Sequence, residues 1–141
     1  MKQRIRRIAV AGVAALVIGG SLVATVRHSA AHHSMAMYDQ QRTTTVIGRV
    51  VEFRWNNPHV YMLVNGTIGM DDDPAEWWLE TAAPSSLIRY GWSATSLRPG
   101  DLVSVVVNPH RDSSQKVALI LSVTLIDTGQ ELSTGAALFS P

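Results

Sequence analysis

The stretch Phe53-Arg54-Trp55-Asn56-Asn57-Pro58-His59-Val60-Tyr61 decides how this chain is read. An alternating, β-branched run leads into it from Thr43, and a second apolar run leaves it at His59. Pro58 has no backbone N–H and biases Asn57 toward extended backbone, so a strand ladder must break or turn between the two runs. A large aromatic and an imidazole therefore stand at a strand junction, where a barrel rim or a pocket mouth would be.

Working outward, Val46, Gly48 and Val50 share one parity of the first strand, with Ile47, Arg49 and Val51 on the other. Gly48 inside the strand suggests a bulge or a barrel corner. The second strand covers His59 to Val64. Asn65-Gly66 then reads as a turn opening an acidic loop over 65–75. The run Asp71-Asp72-Asp73 lacks the alternating ligand spacing and closing Glu of a calcium loop, so it reads as solvated. Glu76 to Ala82 is a third strand, with Trp78, Glu80 and Ala82 on one face and Trp77, Leu79 and Thr81 on the other. A short helix starts near Pro84, with Ser85 or Ser86 as cap, and Gly91 supplies its left-handed stop. Leu102 to Asn108 is nearly continuously apolar, which predicts a strand buried on both sides. Val117 to Ile126 is the last long strand, and Glu131-Leu132 can pair briefly.

Five strands with a helix between the third and fourth predict an all-β protein with one short helix, a small OB-like Greek-key barrel. The competing architecture is a β-sandwich. The expected organisation is a signal peptide over 1–31, a lead-in segment over 32–43, the barrel domain over 44–132 and a loose tail over 133–141.

The signal reading rests on order. Lys2, Arg4, Arg6 and Arg7 precede an Ala/Gly-rich apolar run over 8–26, and the small residues Ser29-Ala30-Ala31 follow. This predicts a periplasmic or secreted protein. The alternative is an uncleaved segment anchoring the chain in the inner membrane, since a span needs about 17–25 residues. Residues 32–141 carry seven basic and eleven acidic side chains, a net charge of −4. A mildly acidic chain without a basic face argues against nucleic acid as a partner. Without cysteine, neither disulfides nor thiolate metal sites are available.

No nucleophile elbow, paired-carboxylate motif or glycine-rich phosphate loop is present, so the sequence favours a non-enzyme. Metal chemistry has a more specific basis. Cleavage after Ala31 makes His32 the first residue, whose amine and imidazole can chelate one ion together. Cleavage after Ala30 puts an imidazole third in the chain, a pattern that suits square-planar copper(II) or nickel(II). The expected ligands are His32, His33 and His59, with His110, Glu80 and Met35 as further candidates. A second reading is a binding module without chemistry, with Trp55, Asn57, Tyr61 and Trp78 lining a groove for a small ligand or a protein. A third is an accessory subunit of a periplasmic or membrane-associated assembly. One echo, Asn57-Pro58-His59 and Asn108-Pro109-His110, could place two imidazoles at matching strand ends.

The start Ala31-His32-His33-Ser34-Met35-Ala36-Met37-Tyr38-Asp39 resembles the AHHSFAxFD start of a family of small exported bacterial proteins of unknown function. Gly48 through His59 resembles that family's GxVxxFxWxNPH block. Trp78-Leu79-Glu80, Leu87 with Gly91-Trp92, Pro99-Gly100-Asp101 and Asn108-Pro109 with Arg111 follow in the same order as its later motifs. Met35 stands where that family often has Phe, and Asp112-Ser113 where it often has a glycine-containing turn. The resemblance implies export and the fold, and carries no activity. Mass spectrometry of the protein from the exporting cell is expected to show loss of residues 1–31 or 1–30. Full mass in the membrane fraction would contradict this.

Overall fold

The computed structural model describes residues 35–69 and 73–135. The chain divides into two compact units, 1–37 and 38–141, and the second holds all the sheet structure described here. The expected signal peptide, His32, His33, Asp71, Asp72 and most of the expected tail lie outside the described residues. Among the described residues, no helix is long and apolar enough to cross a membrane.

Six strands form one sheet: β1 (Thr44–Arg54), β2 (Tyr61–Thr67), β3 (Ala75–Glu80), β4 (Leu102–Pro109), β5 (Val117–Leu125) and β6 (Glu131–Ser133). Their order is β3-β2-β1-β4-β5-β6, and β3 also pairs in parallel with β5. That extra ladder, Trp78 to Glu80 against Val117 to Leu119, closes the first five strands into a barrel. A short helix, α1 (Pro84–Leu87), continues as a 3-10 turn over Ile88–Tyr90 and lies between β3 and β4. The fold is therefore the OB-type barrel, not the sandwich.

Alternation along each strand sorts the residues. Val46 and Val50, Met62 and Val64, Trp77 and Leu79, and Val103, Val105 and Val107 fill the interior. Of the four tryptophans, Trp77 and Trp92 are buried, Trp55 is half-buried and Trp78 is exposed. Trp92 follows the left-handed Gly91 at φ 83°, and its indole N–H reaches the Ser133 carbonyl at 2.7 Å. That bond satisfies the one polar atom of an otherwise apolar plug.

Four local expectations change. Gly48 is not the bulge: the register slips between Val50 and Glu52, and Val51 is the extra residue. Asn65-Gly66 is not a turn but lies inside β2, where Gly66 pairs with Gly48 on one side and Ala75 on the other. The two glycines permit a close approach of β1 to β2, since a Cβ on Gly48 would overlap the Asn65 carbonyl and the Gly66 Cα. The helix is capped at Ala83 without a side-chain bond, because Pro84 already occupies the first helical position. Finally, β4 alternates between half-buried and buried residues from Leu102 to Val107, since a closed barrel has only one interior, and only its end, Val107 to Pro109, is buried on both faces. Gly48→Ala and Gly66→Ala are each expected to destabilise the fold by about 3 kcal/mol. Urea unfolding would show this as a lowered midpoint.

Candidate functional site

Backbone pairing brings the strand junction to the end of β3. The Asn57–Pro58 peptide is cis, and the chain re-enters the sheet at Val60. There Val60 N–H donates to the Ala82 carbonyl at 3.2 Å, and Thr81 N–H donates to the Val60 carbonyl at 2.9 Å. Val60 and Thr81 are buried. By alternation, His59 and Glu80, one residue earlier on each side, face outward.

Nδ1 of His59 lies 2.8 Å from Oε1 of Glu80, with side-chain exposures of 31% and 14%. Tyr38 donates its hydroxyl to the other oxygen, Oε2, at 3.0 Å. Tyr61 stands opposite Glu80 in the ladder, beside the same carboxylate. Its ring centroid is 6.3 Å from that of His59. One carboxylate thus gathers an imidazole and two phenols. Burial, and then the Glu80 charge and hydrogen bond, push the Tyr38 hydroxyl far above its ordinary range. The same causes, in the same order, raise Tyr61.

Tyr38 arrives from outside the barrel. It is fully buried yet outside the interior core cluster. Its backbone bridges to His110, Asp39 N–H donates to the Pro109 carbonyl at 2.8 Å, and Asn108 Nδ2 donates to the Arg42 carbonyl at 2.8 Å. The Tyr38 and His110 rings meet edge to face, with centroids 6.4 Å apart. The two Asn-Pro-His tripeptides therefore sit at opposite ends of one array, His59–Glu80–Tyr38–His110.

The two imidazoles differ. His110 Nδ1 lies 3.0 Å from the Asp112 amide, which can only donate, so Nδ1 accepts and Nε2 carries the proton in the neutral ring. His110 is thus committed to its own loop. Glu80, by contrast, makes Nδ1 of His59 the donor and leaves Nε2 with a lone pair, the arrangement typical of a metal-binding histidine. Among the described residues, no group of three or more His, Asp or Glu could hold an ion. His59 and Glu80 are one member short of such a group. Met35 is 40% exposed at the start of the described residues.

The expected groove residues separate. Trp55 turns inward and packs against Phe53, with centroids 6.1 Å apart, because the Val51 bulge reverses the parity of β1. Asn57 is exposed at the turn. Tyr61 and Trp78 share the outer face, where the Arg54 guanidinium covers the Trp78 ring at 5.3 Å while pairing with Glu52 at 2.7 and 2.9 Å. A cavity of about 360 Å³, lined by Trp77, Lys116, Thr67 and Asp73 among others, opens at the far end of β2 and β3. It contains none of the expected metal ligands, and neither Trp55, Asn57, Tyr61 nor Trp78 lines it. Tyr38 is the residue that sequence reasoning missed. Its signal was a single large aromatic, in a lead-in without any period, six residues ahead of the first strand.

Residues 19–118 match the model of a family of unknown function, DUF6152, and the chain belongs to that family. A search of curated proteins gives no match. Among solved structures, the chain is similar to a mitochondrial single-stranded DNA binding protein from S. cerevisiae, at 13% identity and a TM-score of 0.44. That match covers 60% of this chain and 93% of the other.

The buried phenol has a pH signature. Its folded-state value lies above the ordinary 10.0, so the folded state holds the proton more tightly than the unfolded state. The contribution is complete below pH 10 and is lost as pH rises above it. The urea midpoint is expected to fall above that pH, and Tyr38→Phe to flatten the fall. At neutral pH the same variant is expected to lose roughly 1.5–3 kcal/mol, the worth of a hydrogen bond to a charged group.

Proposed function

We propose that the protein is exported, loses residues 1–31, and binds a divalent transition-metal ion, copper(II) foremost, with His32, His33 and His59 as its ligands. The observation that carries this reading is the 2.8 Å contact between Nδ1 of His59 and Oε1 of Glu80. It selects the tautomer whose Nε2 can bind metal and orients the ring. His32 would add an amine and an imidazole, and nitrogen ligands of this kind suit copper(II).

Chain length supports the reading. His32 is six residues from Tyr38, and an extended chain of that length reaches at most about 20 Å. Tyr38 is itself bonded to the carboxylate that holds His59. The net charge of −4 over residues 32–141 favours a cation over a nucleic acid. Export supplies a compartment in which a cysteine-free chain binds copper(II) without thiol competition.

The test is titration of the purified, processed protein with copper(II), followed by visible absorption and thermal unfolding. Wild type is expected to gain a d–d band and about 2.7 kcal/mol of stability at a hundredfold excess of free ion over the dissociation constant. His59→Ala is expected to weaken binding at least tenfold, and blocking the terminal amine to do the same. A processed protein that gains neither colour nor stability rules the reading out.

A further inference from the structure

The geometry points to Tyr38 as the positioning residue of this site: its hydroxyl, on Oε2 of Glu80, aims Oε1 at Nδ1 of His59 and so sets which imidazole nitrogen is left for a ligand. The functional consequence rests on the metal reading above. The positional claim stands on described residues alone.

Three observations carry it. First, the carboxylate divides its oxygens, with His59 on Oε1 and Tyr38 on Oε2. A glutamate at a strand end has three rotatable bonds, and a single half-exposed imidazole would leave it free to swing. A second donor on the other oxygen removes that freedom. Second, Tyr38 is fully buried although it lies outside the barrel interior. Its backbone is held by the bridge to His110 and by the adjacent bonds from Asp39 and Asn108, and its ring meets that of His110 edge to face. The hydroxyl therefore acts as a fixed reference point. Third, His59 and Glu80 each precede a residue locked into the β2–β3 ladder by the Val60 and Thr81 bonds. With both backbones fixed, the carboxylate rotamer becomes the remaining variable, and Tyr38, the phenol whose hydroxyl stands 3.0 Å from Oε2, sets it.

A purely structural plug would make a different prediction. It would need the Tyr38 ring and not its oxygen, and Tyr38→Phe would leave His59 unchanged. The oxygen is what the positioning role requires.

Nitrogen-15 NMR of the His59 ring, in metal-free purified protein above the imidazole titration range, reads the tautomer directly. Wild type is expected to show the Nδ1–H form alone, and Tyr38→Phe a mixture of both tautomers with circular dichroism unchanged. Copper(II) titration of the same variant is expected to show about tenfold weaker binding and altered electron paramagnetic resonance parameters. If Tyr38→Phe keeps the wild-type tautomer, the inference is overturned, whatever copper does. If wild type binds no copper while the tautomer still changes, the metal reading fails and the positioning role stands. Should the variant not fold, a slowly exchanging Tyr38 hydroxyl proton, close in space to the His59 Nδ1 proton of unmodified protein, supports the inference. Its absence overturns it.

Discussion

Three rungs of parallel pairing hold this molecule closed. Trp78, Leu79 and Glu80 of β3 meet Val117, Ala118 and Leu119 of β5, and Trp78 N–H donates to the Lys116 carbonyl at 2.9 Å. Without that ladder the sheet would be open, with two free edges and an apolar face in water. With it, seventeen side chains share one interior. Glu80 is the last residue of the closing segment, so the rung that completes the barrel also sets down the carboxylate of the site.

Closure places its own demands on the other side of the barrel. A five-stranded barrel is narrow, and β1 must coil around it while pairing with both β2 and β4. Gly48 against Gly66 lets the β1 and β2 backbones come close. The extra residue at Val51 then turns Phe53 inward, where its ring stacks on that of Trp92 with centroids 6.4 Å apart. The same slip sends Arg54 outward onto Trp78. One inserted residue thus decides which aromatic faces water at the strand junction.

The polar array on the outside has a consistent electrostatic logic. A carboxylate at a barrel rim is costly to desolvate unless donors surround it. Here a buried phenol donates to one oxygen and an imidazole meets the other, with a half-buried phenol opposite in the ladder. Arg54, on β1 opposite Tyr61, is occupied by Glu52 and the Trp78 ring. The polar array lies where the segment after residue 37 joins the barrel.

What the sequence by itself determined was local and periodic. Alternation separated Trp77 and Leu79 from Trp78 and Glu80, because a strand has period two whatever surrounds it. Gly91 stopped the helix for the same kind of reason, since only glycine takes a left-handed residue without strain. Strand number and helix position then implied the barrel. The tertiary structure alone decided what depends on distant partners. Gly66 followed an asparagine and resembled a turn, until pairing with Gly48 gave it another purpose. Tyr38 and Glu80 are 42 residues apart, and no spacing rule connects them. His59 and His110 occur in the same tripeptide, yet only His59 pairs with Glu80, because Asp112 follows the other and its backbone N–H captures Nδ1. Periodicity reports which face a side chain takes, and the closure of the barrel decides what it meets there.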